Sequence, residues 1–193
     1  MRLIKICSVF LLVPLSLCLS LMARAEALTV EAIKKHYRGI DQMQGEAEQV
    51  KTSPLLLRPL KSNVSLRFDK GLLTWQVEGQ EAWQIRFGGD GKPVFLNGGK
   101  TLAQIPANAR DKLDRTVGLV RNILTMDPKL EEDFNLKLDK EFLTIVPKSE
   151  KSGVFFKSIG IQFKPNADLQ SISFKTAEDE TKLVFKSIKI KRL

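Results

Sequence analysis

Cysteine and histidine are scarce in this chain, and their scarcity excludes several kinds of chemistry. The chain has two cysteines, Cys7 and Cys18, both within its first 25 residues, and one histidine, His36. A zinc site needs more nitrogen and sulfur ligands than this, and a Ser-His-Asp triad needs an acid and a serine placed beside the histidine. From residue 26 onward no disulfide or cysteine nucleophile is possible. We therefore expect no metal, no cofactor and no catalytic residue, and a binding protein rather than an enzyme.

The first 25 residues have the pattern of a secretory signal peptide. Arg2 and Lys5 precede an apolar run at residues 6–22, and the Ala-Arg-Ala sequence at residues 23–25 fits a cleavage site before Glu26. The run is short for a membrane span. We therefore divide the chain into a signal peptide at residues 1–25 and a single domain at residues 26–193.

Cleavage leaves 168 of the 193 residues and lowers the formal net charge from +9 to +6, since the removed segment has three basic residues and no acid. This length suits one domain with a sizeable core. A moderate positive charge favours anionic partners, but export makes nucleic acid an improbable partner. We expect a secreted monomer that does not bind nucleic acid.

Three segments alternate apolar and polar residues in the way that half-buried strands do. They cover residues 64–68, 73–77 and 83–87, and both tryptophans of the chain lie among their apolar positions. A meander with so large an apolar face must be covered, either by protein alone or also by a greasy ligand. The apolar positions taken as one wall of a cavity are Leu66, Phe68, Leu73, Trp75, Trp83, Ile85 and Phe87.

A long amphipathic helix is the natural cover for that face. Residues 107–126 have helical apolar spacing, Pro106 can open the helix, and Asp127-Pro128 ends it. A shorter helix is predicted at residues 29–38, capped by Thr29. The residues of the long helix assigned to the cavity are Leu113, Val117, Val120 and Leu124.

The remaining segments predict further strands and turns. Residues 41–52 are polar enough for an edge strand, and Pro54 and Pro59 flank a turn. After Pro128 alternating strands return, and a break of parity near Lys186-Ser187 predicts a bulge. The lysine-rich C-terminal segment is interpreted as a last edge strand.

About nine or ten strands at hairpin spacing, interrupted by a long helix, predict a mainly β fold of the α+β class. Such a sheet curls strongly, and the helices are the elements able to cover its concave side. The expected architecture is a curled antiparallel sheet that forms an incomplete β-barrel with its concave face lidded by helices.

The order of these elements resembles the periplasmic outer-membrane lipoprotein carriers, the LolA-like family. The resemblance rests on the segment at residues 57–62, LRPLKS, followed by Leu66-x-Phe68, by Gly71-Leu72-Leu73-x-Trp75 and by the closing FKSIKI strand. It spans nearly the whole chain after the signal peptide. It implies an apolar cavity that holds acyl chains of a lipoprotein, taken from an inner-membrane exporter and delivered to an outer-membrane receptor.

The chain departs from the family pattern at two places. Val64 stands near a family glycine, and Asp69-Lys70-Gly71 stands where the best-known carriers have an Arg-Pro pair tied to lid closure. Lys70 keeps a charge but lacks the planar donor fork of arginine. These departures favour a divergent branch whose acylated cargo could be a glycolipid. The alternatives are an envelope adaptor or glycolipid-transport accessory protein without lipoprotein cargo, an ordinary apolar core, and, as the weakest, a hydrolase that uses carboxylates.

Overall fold

The computed structural model describes residues 27–69, 72–78, 83–87, 93–97, 100–101, 118–149 and 156–192. The predicted signal peptide and the first part of the predicted long helix, with Leu113 and Val117, lie outside these residues. The described helices are α1 (Val30–Tyr37), α2 (residues 118–125) and α3 (Leu130–Asp133). The described strands are β1 (Ile40–Thr52), β2 (Leu60–Asp69), β3 (Leu72–Val77), β4 (Trp83–Phe87), β5 (Pro93–Asn97), β6 (Lys100–Thr101), β7 (Phe134–Asp139), β8 (Phe142–Pro147), β9 (Ser158–Phe163), β10 (Leu169–Lys175) and β11 (Glu180–Arg192).

All described strands form one antiparallel sheet in the order β6-β5-β4-β3-β2-β1-β11-β10-β9-β8-β7. Two meanders, β1 to β6 and β7 to β11, join where the first strand pairs with the last. Among the described strands, β6 and β7 are the two edges and do not pair with each other, so the sheet is open. The prediction of a mainly β, incomplete antiparallel barrel is confirmed.

The strand at residues 41–52, predicted at an edge, is central, so that prediction is wrong. β1 pairs with both β2 and β11, and β11 pairs with both β1 and β10. Beyond Val184, β11 pairs with β1 alone among the described strands, as an edge strand does. β1 reads as polar because only one of its faces is covered: Met43 and Ala47 are buried, while Gln44 and Glu46 point to the other side. A central strand with a solvated outer face can be as polar as an edge strand.

The bulge predicted near Lys186-Ser187 is confirmed. Glu46 pairs with Ser187 and Ala47 with Phe185, which leaves Lys186 as the extra residue of β11. An extra residue reverses the parity of all that follows. Apolar side chains before and after the bulge therefore share one face of the sheet, namely Leu183, Phe185, Ile188 and Ile190.

The helix signals are also confirmed where they lie within the described residues. The Thr29 hydroxyl accepts a hydrogen bond from the Ala32 amide at 3.1 Å, and Gly39 follows α1 with a φ of +71°. This left-handed conformation favours glycine. α2 ends before Met126, whose φ of 48° turns the chain into the Asp127-Pro128 sequence.

Candidate functional site: the apolar face of the sheet

The first meander contributes a continuous apolar face to the core. Along β2 and β3, Leu66 and Phe68 alternate with exposed or half-exposed neighbours, and Leu73 is fully buried while Leu72 beside it is 38 % exposed. Leu66 lies opposite Trp75, and Trp75 opposite Ile85, in the register of β2, β3 and β4. Residues paired across antiparallel strands share a face. The alternation read from the sequence therefore places the proposed wall on the core side.

Trp75 differs from its neighbours because it is only half-buried. Its ring lies 6.1 Å from that of Phe174 on β10, and Phe174 in turn lies 5.0 Å from Phe156. Both are tilted aromatic contacts, and the Trp75–Phe174 contact joins the two meanders. Trp83 and Phe87 lie in β4 as predicted, but their side chains are outside the described part of the chain.

α2 adds apolar side chains to the same buried core as the inner face of the sheet. Val120 and Leu124, both assigned to the lid, are buried, as are Leu119 and Ile123 beside them. The described portion of the long helix thus buries two adjoining rows of its surface, which is the wide apolar stripe expected of a helix on a sheet.

The second meander supplies an equally apolar face that the assigned cavity residues omit. Its strands alternate just as clearly, so the signal was present in the sequence. What the sequence lacked was evidence that the two meanders form one sheet. The side chains of this half that are at most 3 % exposed are Leu143, Ile145, Ile159, Ile161, Phe163, Ile172, Phe174 and Leu183.

Polar groups are nearly absent from this face in the described part of the chain. Ser171 is the only buried polar or charged residue among the described residues, and it lies on the other face of the sheet, because it pairs with Gln162 and Val184. No cluster of histidine, cysteine, aspartate or glutamate among the described residues has the size needed to hold a metal ion. Such a surface can exclude water and contact hydrocarbon, and it offers few groups for acid–base work.

Polar contacts fasten the helices at the rim of the sheet. The buried Tyr37 hydroxyl donates to the Ala167 carbonyl at 3.1 Å, which ties α1 to the turn before β10. Burial raises the pKa of Tyr37 well above its usual range. The Lys34 ammonium lies 2.7 Å from Glu131, which joins α1 to α3 and raises the pKa of Lys34.

A cavity opens where β11 separates from β10. The two strands pair only as far as Ser171 and Val184, so the second half of β11 has no partner strand on that side within the described residues. The cavity measures about 210 Å³ and is lined by apolar Phe185, Ile188 and Ile190 together with the polar side chains of α1 and the neighbouring turn. His36 Nε2 lies 3.3 Å from an Asp168 carboxylate oxygen at its edge. No pattern in the sequence indicates this cavity.

Several solved structures match the chain at low sequence identity. A LolA superfamily protein from Nitrosomonas europaea matches with a TM-score of 0.42 and 10% identity, over 86% of this chain and 96% of that one. An outer membrane lipoprotein-sorting protein domain from Vibrio parahaemolyticus matches with a TM-score of 0.40 and 10% identity, over 86% and 93%. The MucA/MucB complex of Pseudomonas aeruginosa matches at 0.43 and 13%, over 83% of this chain and 55% of that one.

Sequence comparison adds no relative. No family model matches the chain, and no curated protein matches it significantly. Within the described residues, no helix has both the length and the apolar character needed to cross a membrane.

Proposed function

We propose that this protein is a periplasmic carrier that binds the acyl chains of a lipoprotein or related glycolipid between its sheet and its helices. It is exported by the signal peptide at residues 1–25 and functions as a single domain at residues 26–193. Its partners are an acylated cargo and, transiently, an inner-membrane exporter and an outer-membrane receptor. It acts by binding and release rather than by catalysis.

One observation carries the proposal: an open sheet keeps an apolar inner face across both meanders, covered by a helix rather than by a second sheet. Burial of hydrocarbon is worth about 0.8 kcal/mol per CH₂ group, so ten methylenes would contribute on the order of 8 kcal/mol. A helix held mainly by apolar contacts can be displaced by an acyl chain that offers the same contacts. Leu66, Leu73 and Leu124 are among the buried residues whose contacts an acyl chain would replace.

Two pairs of adjacent residues test the proposal with built-in controls. Leu73 is fully buried and Leu72 is 38 % exposed, while Trp75 is half-buried and Gln76 is exposed. In Leu73→Asp and Trp75→Asp the new carboxylate faces the inner side, where an unpaired charge is costly. We expect uptake of a fluorescent fatty acid to fall by more than about ten-fold in these variants. Leu72→Asp and Gln76→Asp should bind like the unchanged protein.

Circular dichroism separates loss of binding from loss of folding. Trp75→Asp is the deciding variant if Leu73→Asp does not fold, because a half-buried site tolerates a charge better. Equal uptake by all four variants would show that hydrocarbon does not enter here, and would favour an envelope adaptor without lipid cargo.

A further inference from the structure

The connection between β1 and β2 displays leucine side chains to solvent. In this segment, residues 53–60, which we call the leucine loop, Leu55 is 87% exposed, Leu57 is 108% exposed and Leu60 is 53% exposed. Single exposed apolar residues are common on protein surfaces, but several large ones at the tip of one short loop are not. The exposure of Leu57 means that no described part of the chain packs against it.

The leucine loop is held in place at its base. The Ser53 carbonyl accepts a hydrogen bond from the Leu56 amide at 3.0 Å, and the Ser53 hydroxyl accepts one from the Leu55 amide at 3.3 Å. Pro54 and Pro59 restrict the backbone on both sides of the leucines. The tip is therefore a structured turn, and its leucines are presented without first being ordered.

The neighbouring turn before β11 anchors the same base. The Thr52 hydroxyl donates to the Glu180 carbonyl at 3.3 Å, and the Lys51 ammonium lies 3.2 Å from the Asp179 carboxylate. Hydrogen bonds from Ser53 and then from Lys51 lower the pKa of Asp179. These contacts hold the loop at one end of the sheet and leave the leucine tip projecting.

Arg58 is the charged residue of the leucine loop itself. Lys51 and Lys61 flank the loop, and no acid lies between Lys51 and Lys61 in the sequence. Asp179 pairs with Lys51, and Glu48 lies 3.4 Å from Lys61. Arg58, between the exposed leucines, has no ion pair within the described residues. The acids that face this region, Glu178 to Glu180, belong to the anchoring turn at the base rather than to the tip.

We propose that the leucine loop docks the protein onto a bilayer that contains anionic phospholipid. Leu55 and Leu57 enter the boundary between headgroups and acyl chains, and the guanidinium of Arg58 stays at the level of the phosphates. A projecting tip suits a bilayer, because it can insert without a preformed pocket on the partner surface. The loop lies apart from the inner face of the sheet, so this inference stands whether or not that face takes an acyl chain.

Sedimentation with vesicles tests this docking. The protein without residues 1–25 is mixed with vesicles of phosphatidylethanolamine and phosphatidylglycerol, or of phosphatidylcholine alone. We expect more binding to the anionic vesicles than to the neutral ones. Binding should fall at least about ten-fold in Leu55→Asp/Leu57→Asp, because this variant removes two apolar side chains and adds two negative charges. Arg58→Gln should weaken binding to anionic vesicles about five-fold and leave binding to neutral vesicles unchanged.

Leu72→Asp is the matched control, because it places the same carboxylate at an exposed leucine at the opposite end of β2 and β3. It should bind vesicles as the unchanged protein does. The proposal is overturned if the unchanged protein sediments with neither vesicle, or if the double variant sediments equally well. It is also overturned if the unchanged protein is a dimer and the only effect of the double variant is to make it monomeric, since the leucines would then cover a second copy. Fatty-acid uptake, measured in parallel, reports on the inner face alone.

Discussion

At the scale of single residues, Tyr37 is the clearest reporter of the attachment of α1 to the turn before β10. It is the only tyrosine of the chain, it is 2 % exposed, and its hydroxyl holds α1 against the turn at Ala167. Ionisation of a buried phenol is opposed by loss of hydration, and here it would also break this hydrogen bond. A residue that was unremarkable in the sequence thus measures the attachment of the first helix.

The pH dependence of stability follows from this raised pKa. An unfolded tyrosine ionises near pH 10, whereas in the folded protein Tyr37 stays neutral to higher pH. Above about pH 10 the unfolded state therefore binds fewer protons than the folded state. The contribution of Tyr37 to folding stability is complete below that pH and falls as the pH rises. We expect the free energy of unfolding to drop more steeply above about pH 10 in the unchanged protein than in Tyr37→Phe.

Urea unfolding at a series of alkaline pH values gives this comparison, and phenolate absorbance follows Tyr37 alone. Lysine titration affects both proteins and cancels in the difference. Phenolate absorbance that rises near pH 10 while the circular dichroism stays native would contradict a buried, hydrogen-bonded hydroxyl.

At the scale of elements, the bulge of β11 determines which side chains reach the core. Without an extra residue, Leu183 and Ile188 would lie on opposite faces. With Lys186 looped out of register, both face inward. The Lys186 ammonium lies on the other side, where it donates to the Asn63 side-chain oxygen at 3.0 Å.

Two single-residue deletions in β11 should therefore differ sharply. Deleting Lys186 gives an uninterrupted strand in which every apolar residue keeps its inward face, so the loss is about one surface hydrogen bond, roughly 0.5–1.5 kcal/mol. Deleting Val184 forces Leu183 or Phe185 out of the core, which costs about 2–5 kcal/mol as for a core truncation. Thermal or urea unfolding of the two variants measures the difference. Equal stabilities would mean that the parity of β11 is not fixed by the bulge.

The elements themselves were largely readable from the sequence, and their neighbours were not. Alternation located the strands, Thr29 and Gly39 bounded α1, and the parity break located the bulge, because each of these signals is local. The pairing of β1 with β11 joins residues more than a hundred positions apart, and no local pattern reports it. β1 was consequently assigned to an edge.

The same limit explains the candidate cavity residues. Leu66 and Leu73 were predicted because apolar and polar residues alternate along their own strands. Val120 was predicted because the apolar residues of its own helix have helical spacing. Ile161 and Phe174 alternate just as well, yet their membership of the same face follows only from the central β1–β11 pairing. The resemblance to carriers predicts an apolar site on this sheet, and the packed sheet adds residues of the second meander to the same buried core.

At the scale of the whole molecule, the two meanders form one open sheet with an apolar inner side and a leucine-tipped loop at one end. These two surfaces suit two stages of one task, holding hydrocarbon away from water and meeting a membrane. Each surface can be disrupted separately by substitution, so the two proposed roles can be tested independently.

The most direct test of the central claim is native mass spectrometry of the protein purified from its host without detergent. We expect a population heavier than the bare chain, by the mass of an acylated molecule that organic extraction removes. The same population should be depleted in Trp75→Asp and retained in Gln76→Asp. A single mass equal to the chain without residues 1–25, with no uptake of a fatty-acid probe, would contradict an acyl-chain carrier.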